Sequence, residues 1–382
     1  MKTFKLLFLL TIFSSAFFNN TYAQSALKPG FIGEEYRELI SLTSRHLDSN
    51  IILEYSKKLL PYPKAKRVYR SEVVALENKW DFWVKKPGIG IISLRGTTPS
   101  KNSWLENFYA AMIPAIGEIT INNGHKFKYK LATDSSAYIH AGWLLGMASM
   151  ADDIVKHINE AYNQGIKDFI IIGHSQGGAL ALLLRSYLEY LPEGLPRGIR
   201  IKTYASAAPK VGNLKYAYDF DFITKGGWAF RVINSEDWVP QMPFSVQQVA
   251  DLNKINPFSD VKEITKTMPF GARTYVRSSY NKMVRRAGKT QKTYTKYLGS
   301  QAYKMCKEVM PELEKPEFKN SFDYVACGTP IILMPTNSYY SYYVKNAKQS
   351  VFIHHMYYAY YYLCLQNYPE KESSFKASHI NP

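Results

Sequence analysis

Cysteine is scarce in this 382-residue chain, which holds only Cys306, Cys327 and Cys364. They are too widely spaced, and too poor in neighbouring ligands, to suggest a metal site. Three thiols also exclude a disulfide-framed scaffold and leave room for one bridge at most in an oxidising compartment. Long apolar runs are missing as well. Beyond the first residues, no stretch reaches the roughly 18 consecutive apolar residues that a membrane-spanning helix needs, and no internal repeat or extended low-complexity segment is present. Acidic residues are outnumbered, 31 Asp and Glu against 48 Lys and Arg, for a formal net charge of +17. Between Lys266 and Lys307 there are eleven Lys or Arg residues, among them Arg285, Arg286, Lys289 and Lys292, and no acid at all. Such a one-sign block is either a solvated face or a surface for an anionic membrane. Nucleic acid is not expected as a partner of an exported chain.

Export is what the N-terminus implies. Met1-Lys2-Thr3-Phe4-Lys5 is basic, residues 6–18 are almost wholly apolar, and Thr21-Tyr22-Ala23 supplies small residues before Gln24. This pattern predicts a signal peptide over 1–23 and a secreted or periplasmic mature chain over 24–382. About 360 residues suffice for one large domain with an insertion, or two modest ones.

The apolar periodicity predicts helices over 33–46 and 51–60, then short strands at 73–76, 81–84 and 90–94. Helices then alternate with strands: helix 139–164, strand 169–172, helix 178–190, strands 199–205 and 229–234. That alternation predicts an α/β fold with a mostly parallel sheet covered on both faces. The rhythm breaks at about 245–321, a basic, tyrosine-rich insertion expected to be helical from 275 to 310 and to form a cap. Strands are expected again at 329–335 and around 339–344, and a last helix over 355–366.

One stretch carries chemistry. Gly173-His174-Ser175-Gln176-Gly177-Gly178 lies between the apolar strand Phe169-Ile170-Ile171-Ile172 and the helix-forming run Ala179-Leu180-Ala181-Leu182. Strand, sharp turn and helix together make an elbow that projects a serine hydroxyl, and the flanking glycines permit the close approach it needs. Such a hydroxyl attacks a carbonyl only when an imidazole takes its proton and a carboxylate orients that imidazole. Asp237 is the candidate acid, since it follows the strand Phe230-Arg231-Val232-Ile233-Asn234; Asp219 and Asp221 precede that strand and belong at its other end. For the base the choice is His355, with His354 as the alternative. The backbone N–H of Gln176 and the N–H and hydroxyl of Thr97 are the candidate oxyanion donors. This chemistry calls for no metal and no cofactor.

These residues also carry a resemblance. Leu94-Arg95-Gly96-Thr97, Asn102-Ser103-Trp104-Leu105, Ile139-His140-Ala141-Gly142-Trp143, the Ser175 elbow, Ala205-Ser206-Ala207-Ala208-Pro209-Lys210-Val211-Gly212-Asn213 and the block from Arg231 to Pro240 follow one another in order. Together they resemble the class 3, fungal-type triacylglycerol lipases. The resemblance implies an α/β hydrolase with Ser175 as nucleophile, Asp237 as acid, an oxyanion hole at Thr97 and Gln176, and a lid over about 103–115. It also implies lipid or other ester substrates, acylglycerols first. The chain departs from the family in placing more than a hundred residues between Asp237 and His355.

Overall fold

A computed structural model describes residues 27–46, 60–86, 88–121, 124–191, 193–347 and 349–369. The expected signal peptide, and all but the last residue of the helix expected over 51–60, lie outside them. Seven strands form the main sheet: β1 (Lys66–Arg70), β2 (Trp80–Lys85), β3 (Ile89–Leu94), β4 (Asp168–His174), β5 (Arg200–Ser206), β6 (Ala229–Asn234) and β7 (Thr329–Leu333). Their order across the sheet follows their order in the chain. The pairs β1–β2 and β2–β3 are antiparallel, and every later pair is parallel. This is the mostly parallel α/β sheet that the alternating pattern predicts.

Side-chain alternation divides the core between the two faces. On β4, Phe169 and Ile171 join the apolar cluster beneath α3 (Ala141–Asn163) and α4 (Gln176–Tyr190). Ile170 and Ile172 point to the opposite cluster, under α1 (Gly33–Thr43) and α8 (Tyr357–Asn367). A strand buried on both faces reads as a continuous apolar run, which is how β4 is written. Two further helices matter for the site. Helix α2 (Lys101–Phe108) follows β3, capped by the Ser100 hydroxyl, which accepts from Asn102 N–H at 3.2 Å. Helix α5 (Leu214–Ile223) precedes β6 and carries Asp219 and Asp221, away from the strand's C-terminal edge.

Between β6 and β7 the chain is largely helical. Val246 and Phe322 form a bridge, and between them lie α6 (Phe270–Tyr294), a wide helical turn Thr295–Gln301 and α7 (Ala302–Val309). Helix α7 and the residue after it bury Ala302, Cys306 and Met310 in the core, whereas α6 buries only Gln291. Along α6 the side chains of Lys282, Arg285, Arg286, Lys289 and Lys292 are exposed.

Three expectations are corrected. Residues 73–76 are not a strand: Val74 and Asn78 form a lone bridge around a tight turn with Ala75 and Glu77 at positive φ (48° and 71°), and the edge strand is β1 instead. Residues 339–344 form a wide helical turn, Tyr339–Val344. Tyr339 and Tyr343 face inward, four residues apart, while Tyr340 and Tyr342 are exposed. Aromatic residues are good strand formers, but here packing of the i, i+4 pair against α8 decides. The lid region is also divided: α2 ends at Phe108, and Met112–Pro114 is a short strand whose Met112 and Ile113 are core residues. The cysteines are all buried and none is in a disulfide. Burial pushes the Cys306 thiol up to about 12 and that of Cys364 up to about 11, so both are protonated packing groups.

Candidate active site

Ser175 joins β4 to α4 at φ 61° and ψ −130°, a conformation that a side chain with Cβ seldom adopts and that neighbours must impose. Ser175 N–H donates to the Ser206 carbonyl at 2.9 Å, holding the elbow against the end of β5. The glycines around it are required by contact. A Cβ on Gly173 would lie 2.0 Å from the Gly177 carbonyl oxygen, and one on Gly177 would lie 2.4 Å from that of Leu94. Through Gly177 the elbow touches the loop after β3. From the other side, a Cβ on Gly96 would sit 2.8 Å from the His174 carbonyl oxygen.

Because β3, β4 and β6 are parallel, the residues that follow them emerge at one edge of the sheet. Asp237 lies beyond β6, buried, with its N–H donating to the Asn234 carbonyl at 3.0 Å. Its Oδ2 accepts from His355 Nδ1 at 2.7 Å and from the Tyr360 hydroxyl at 2.7 Å, and Oδ1 accepts from Val239 N–H at 3.0 Å. Burial works to raise the Asp237 carboxyl, but these donors outweigh it and hold the group below the usual carboxylate range. Asp237 is therefore ionised at neutral pH. With its Nδ1–H given to the carboxylate, His355 keeps Nε2 as a lone-pair acceptor. The neighbouring Glu236 is exposed.

The two histidines of the pair diverge. They end a short helical turn, Ile353–His355, ahead of α8. His354 Nδ1 lies 2.8 Å from the Tyr339 hydroxyl, and its carbonyl accepts from Asn234 Nδ2 at 2.8 Å. The His355 carbonyl accepts from His174 Nε2 at 2.7 Å. Burial lowers His174 to about 3, so it is a neutral imidazole. A carbonyl can only accept, so the proton sits on Nε2, and Nδ1 accepts from the Ser206 hydroxyl at 3.0 Å. The indole of Trp238 donates to the Val351 carbonyl at 2.8 Å, which ties the loop bearing Asp237 to the loop bearing His355.

Thr97 and Gln176 also meet. The Thr97 hydroxyl donates to Gln176 Oε1 at 2.8 Å and accepts from Asn107 Nδ2 at 2.9 Å. The hydroxyl proton is thus engaged, and only the N–H of Thr97 is left to offer. Among the described residues neither Thr97 N–H nor Gln176 N–H has a hydrogen-bond partner, as the first residue of a helix can have none within it. Asn107 is fixed in turn by the Trp143 indole, which donates to its Oδ1 at 2.9 Å. The sequence alone does not reveal Tyr360, His174 or Asn107 as members of this network. Tyr360 sits in a run of tyrosines that reads as packing, and the others have partners remote in sequence.

Residues 91–247 match the profile of the lipase (class 3) family. Through this segment the chain is similar to the class 3 lipases. Among similar proteins, it is 30% identical over 156 residues to secreted mono- and diacylglycerol lipase 1 of Fusarium solani, covering 40% of this chain and 39% of that protein. It is 34% identical over 83 residues to a Caenorhabditis elegans lipase, covering 22% of each chain. It is 26% identical over 191 residues to a triacylglycerol lipase of Ricinus communis, covering 42% of this chain and 36% of that one. The chain thus spans less than half the length of these relatives. A solved structure of Rhizomucor miehei triacylglyceride lipase is similar at 19% identity and a TM-score of 0.38, over 56% of this chain and 76% of that one.

Proposed function

We propose that the chain is an exported serine hydrolase that cleaves carboxylic esters of lipids, with Ser175 as nucleophile, His355 as base, Asp237 as its orienting acid, and the N–H groups of Thr97 and Gln176 as oxyanion donors. The observation that carries this reading is the 2.7 Å hydrogen bond from His355 Nδ1 to buried Asp237, formed at the sheet edge where the Ser175 elbow emerges. Ser175 Oγ bonds to the ester carbonyl carbon as its proton passes to His355 Nε2. The displaced electron pair on the carbonyl oxygen is received by the two N–H donors. Collapse expels the alcohol with the proton from His355 and leaves an acyl-serine. Water then gives a proton to Nε2 and attacks the acyl carbon, and Ser175 departs with that proton as the carboxylic acid is released.

Mono- and diacylglycerols and triacylglycerols are the leading substrates, because the relatives above are named for them. Exposed aromatic residues around the site support a lipid surface: Trp104 and Phe108 on α2 and Trp238 beside Asp237, with Phe352 bridging Trp104 and Trp238 at ring separations of 6.2 and 5.5 Å. Rings of this kind suit a boundary between water and acyl chains. The exposed cations of α6 extend the reading to an anionic lipid surface. A signal peptide over 1–23 would account for export.

The test is hydrolysis of monoacylglycerol and of a short soluble ester by the purified protein. Ser175→Ala should lose about 10⁴-fold or more in kcat, and His355→Ala should follow it while His354→Ala stays far more active. Equal rates for Ser175→Ala and the unmodified protein would sink the reading.

A further inference from the structure

Glu106 is an ionisable side chain with no solvent exposure, and among the described residues no cation pairs with it. Such a group is costly to bury unless donors surround it. Two amides do: Asn78 Nδ2 donates to Oε2, and Gln176 Nε2 donates to Oε1 at 2.7 Å. The backbone makes room for this arrangement. Gly146 of α3 lies so close that a Cβ there would sit 2.3 Å from Glu106 Oε1.

Gln176 is the residue after Ser175, and its amide is held at both ends. Nε2 is directed at Glu106, while Oε1 accepts from the Thr97 hydroxyl at 2.8 Å and from Asn107 Nδ2 at 3.3 Å. A hydroxyl donating toward Gln176 must find Oε1 there, so the amide has only one permitted orientation, and an acceptor at position 106 is what enforces it. An apolar residue at 106 would leave Gln176 Nε2 buried without the acceptor it has in Glu106. The sequence of contacts therefore runs from α2 through Gln176 to the loop after β3, the two places whose N–H groups are offered to an oxyanion.

We infer that Glu106 is a positioning residue: through the Gln176 side chain it fixes the backbone of Gln176 and of Thr97, so that their two N–H groups converge on the developing oxyanion. This rests on the hydrolase reading above. A group acting this way changes the stabilisation of the transition state more than ground-state binding.

The experiment measures kcat and KM on a short soluble ester for the unmodified protein, Ser175→Ala, Glu106→Leu, Glu106→Gln, Gln176→Leu and the Glu106→Leu/Gln176→Leu pair, with circular dichroism and melting as the check on folding. Glu106→Leu should lower kcat about tenfold or more with KM held within about twofold, less than the 10²–10³ lost with a direct oxyanion donor. Glu106→Gln, which keeps an acceptor, should recover kcat to within about threefold. Gln176→Leu should match Glu106→Leu, and the double variant should lose little more, because both break one link. Unchanged kcat in Glu106→Leu, a loss confined to KM, failure of Gln to rescue, or additive losses in the double variant would each overturn the role of Glu106 alone. Hydrolysis that is indifferent to Ser175 would overturn the function and this role with it. Should Glu106→Leu not fold, the rescue and KM criteria are read from Glu106→Gln and Gln176→Leu: kcat held in the first and lost in the second supports the role, and equal loss in both overturns it.

Discussion

Single residues in this protein owe their behaviour to partners far away in sequence. Glu106 is the plainest case, since Asn78 lies 28 residues before it and Gln176 lies 70 after it. Burial lifts its carboxyl from the ordinary 4.5 to about 8, although the two amide donors pull the other way. A raised folded-state value means that folding takes up a proton between those limits, so the contribution to stability is complete below about 4.5 and is lost as pH rises through about 8. Thermal melting across pH should show this. The unmodified protein should lose Tm relative to Glu106→Gln as pH is raised from about 4.5 to 8, with the gap levelling off above that; parallel curves would show that Glu106 does not titrate there. Asp237 has the opposite balance, its donors prevailing over burial, and His174 is kept neutral chiefly by burial, with the nearby His355 ring acting in the same direction.

At the level of elements, the site depends on how closely α2 and α3 approach. Helix α3 begins with the His140 imidazole accepting from Trp143 N–H at 3.2 Å, and it presents Gly142 and Gly146 on one face. A Cβ on Gly142 would lie 2.0 Å from the Glu106 carbonyl oxygen, in the backbone of α2, whereas one on Gly146 would meet the Glu106 side chain at 2.3 Å. Gly142→Ala should therefore be the more damaging, because a backbone must move, at about 1–3 kcal/mol for an overpacked contact. Chemical denaturation of both variants checks the order, and a smaller loss for Gly142→Ala than for Gly146→Ala would contradict it. The same packing limits α2 as a lid. Leu105 and Glu106 root it in the core while Trp104 and Phe108 face out, so an opening that swings the whole helix would break the Glu106 network. Parting the ring contacts of Phe352 with Trp104 and Trp238 costs less.

For the whole molecule, the distribution of charge is as informative as the fold. The +17 net charge is concentrated where eleven cations occur without an acid, and α6 carries five of them on exposed positions. No ion pair neutralises Lys282, Arg285, Arg286, Lys289 or Lys292 among the described residues. An anionic bilayer would gain about 1 kcal/mol for each cation brought to its surface. Sedimentation with phosphatidylserine-containing vesicles should capture the protein at low salt and release it as salt screens the attraction. Reversing Lys282, Arg285, Arg286 and Lys289 to Glu should abolish that capture without changing hydrolysis of a soluble ester. Binding that ignores both lipid charge and salt would contradict a membrane-steering face.

How much could be read beforehand follows from the range of each interaction. The Ser175 elbow, the strand and helix around it, the core strand β4 and the parallel α/β sheet were legible, because glycine spacing, apolar runs and alternation are local and their physical meaning is the same in any chain. The strand expected at 73–76 failed because positive-φ turns at Ala75 and Glu77 leave no mark in a window of β-branched residues. The tyrosines at 339–343 failed because strand and helix propensities overlap for aromatic residues until a neighbour such as α8 selects one. His354 and His355 are adjacent and alike; only the turn before α8 directs one to Asp237 and the other to Tyr339. By itself the sequence determined the nucleophile candidate, the fold class and the excess of positive charge, all properties of short segments or simple sums. Tertiary structure alone decided which histidine meets Asp237, the tyrosine on Asp237, the split of residues 101–114 between helix and strand, and the buried carboxyl of Glu106, because each depends on contacts between residues that the chain keeps apart and only the fold brings together.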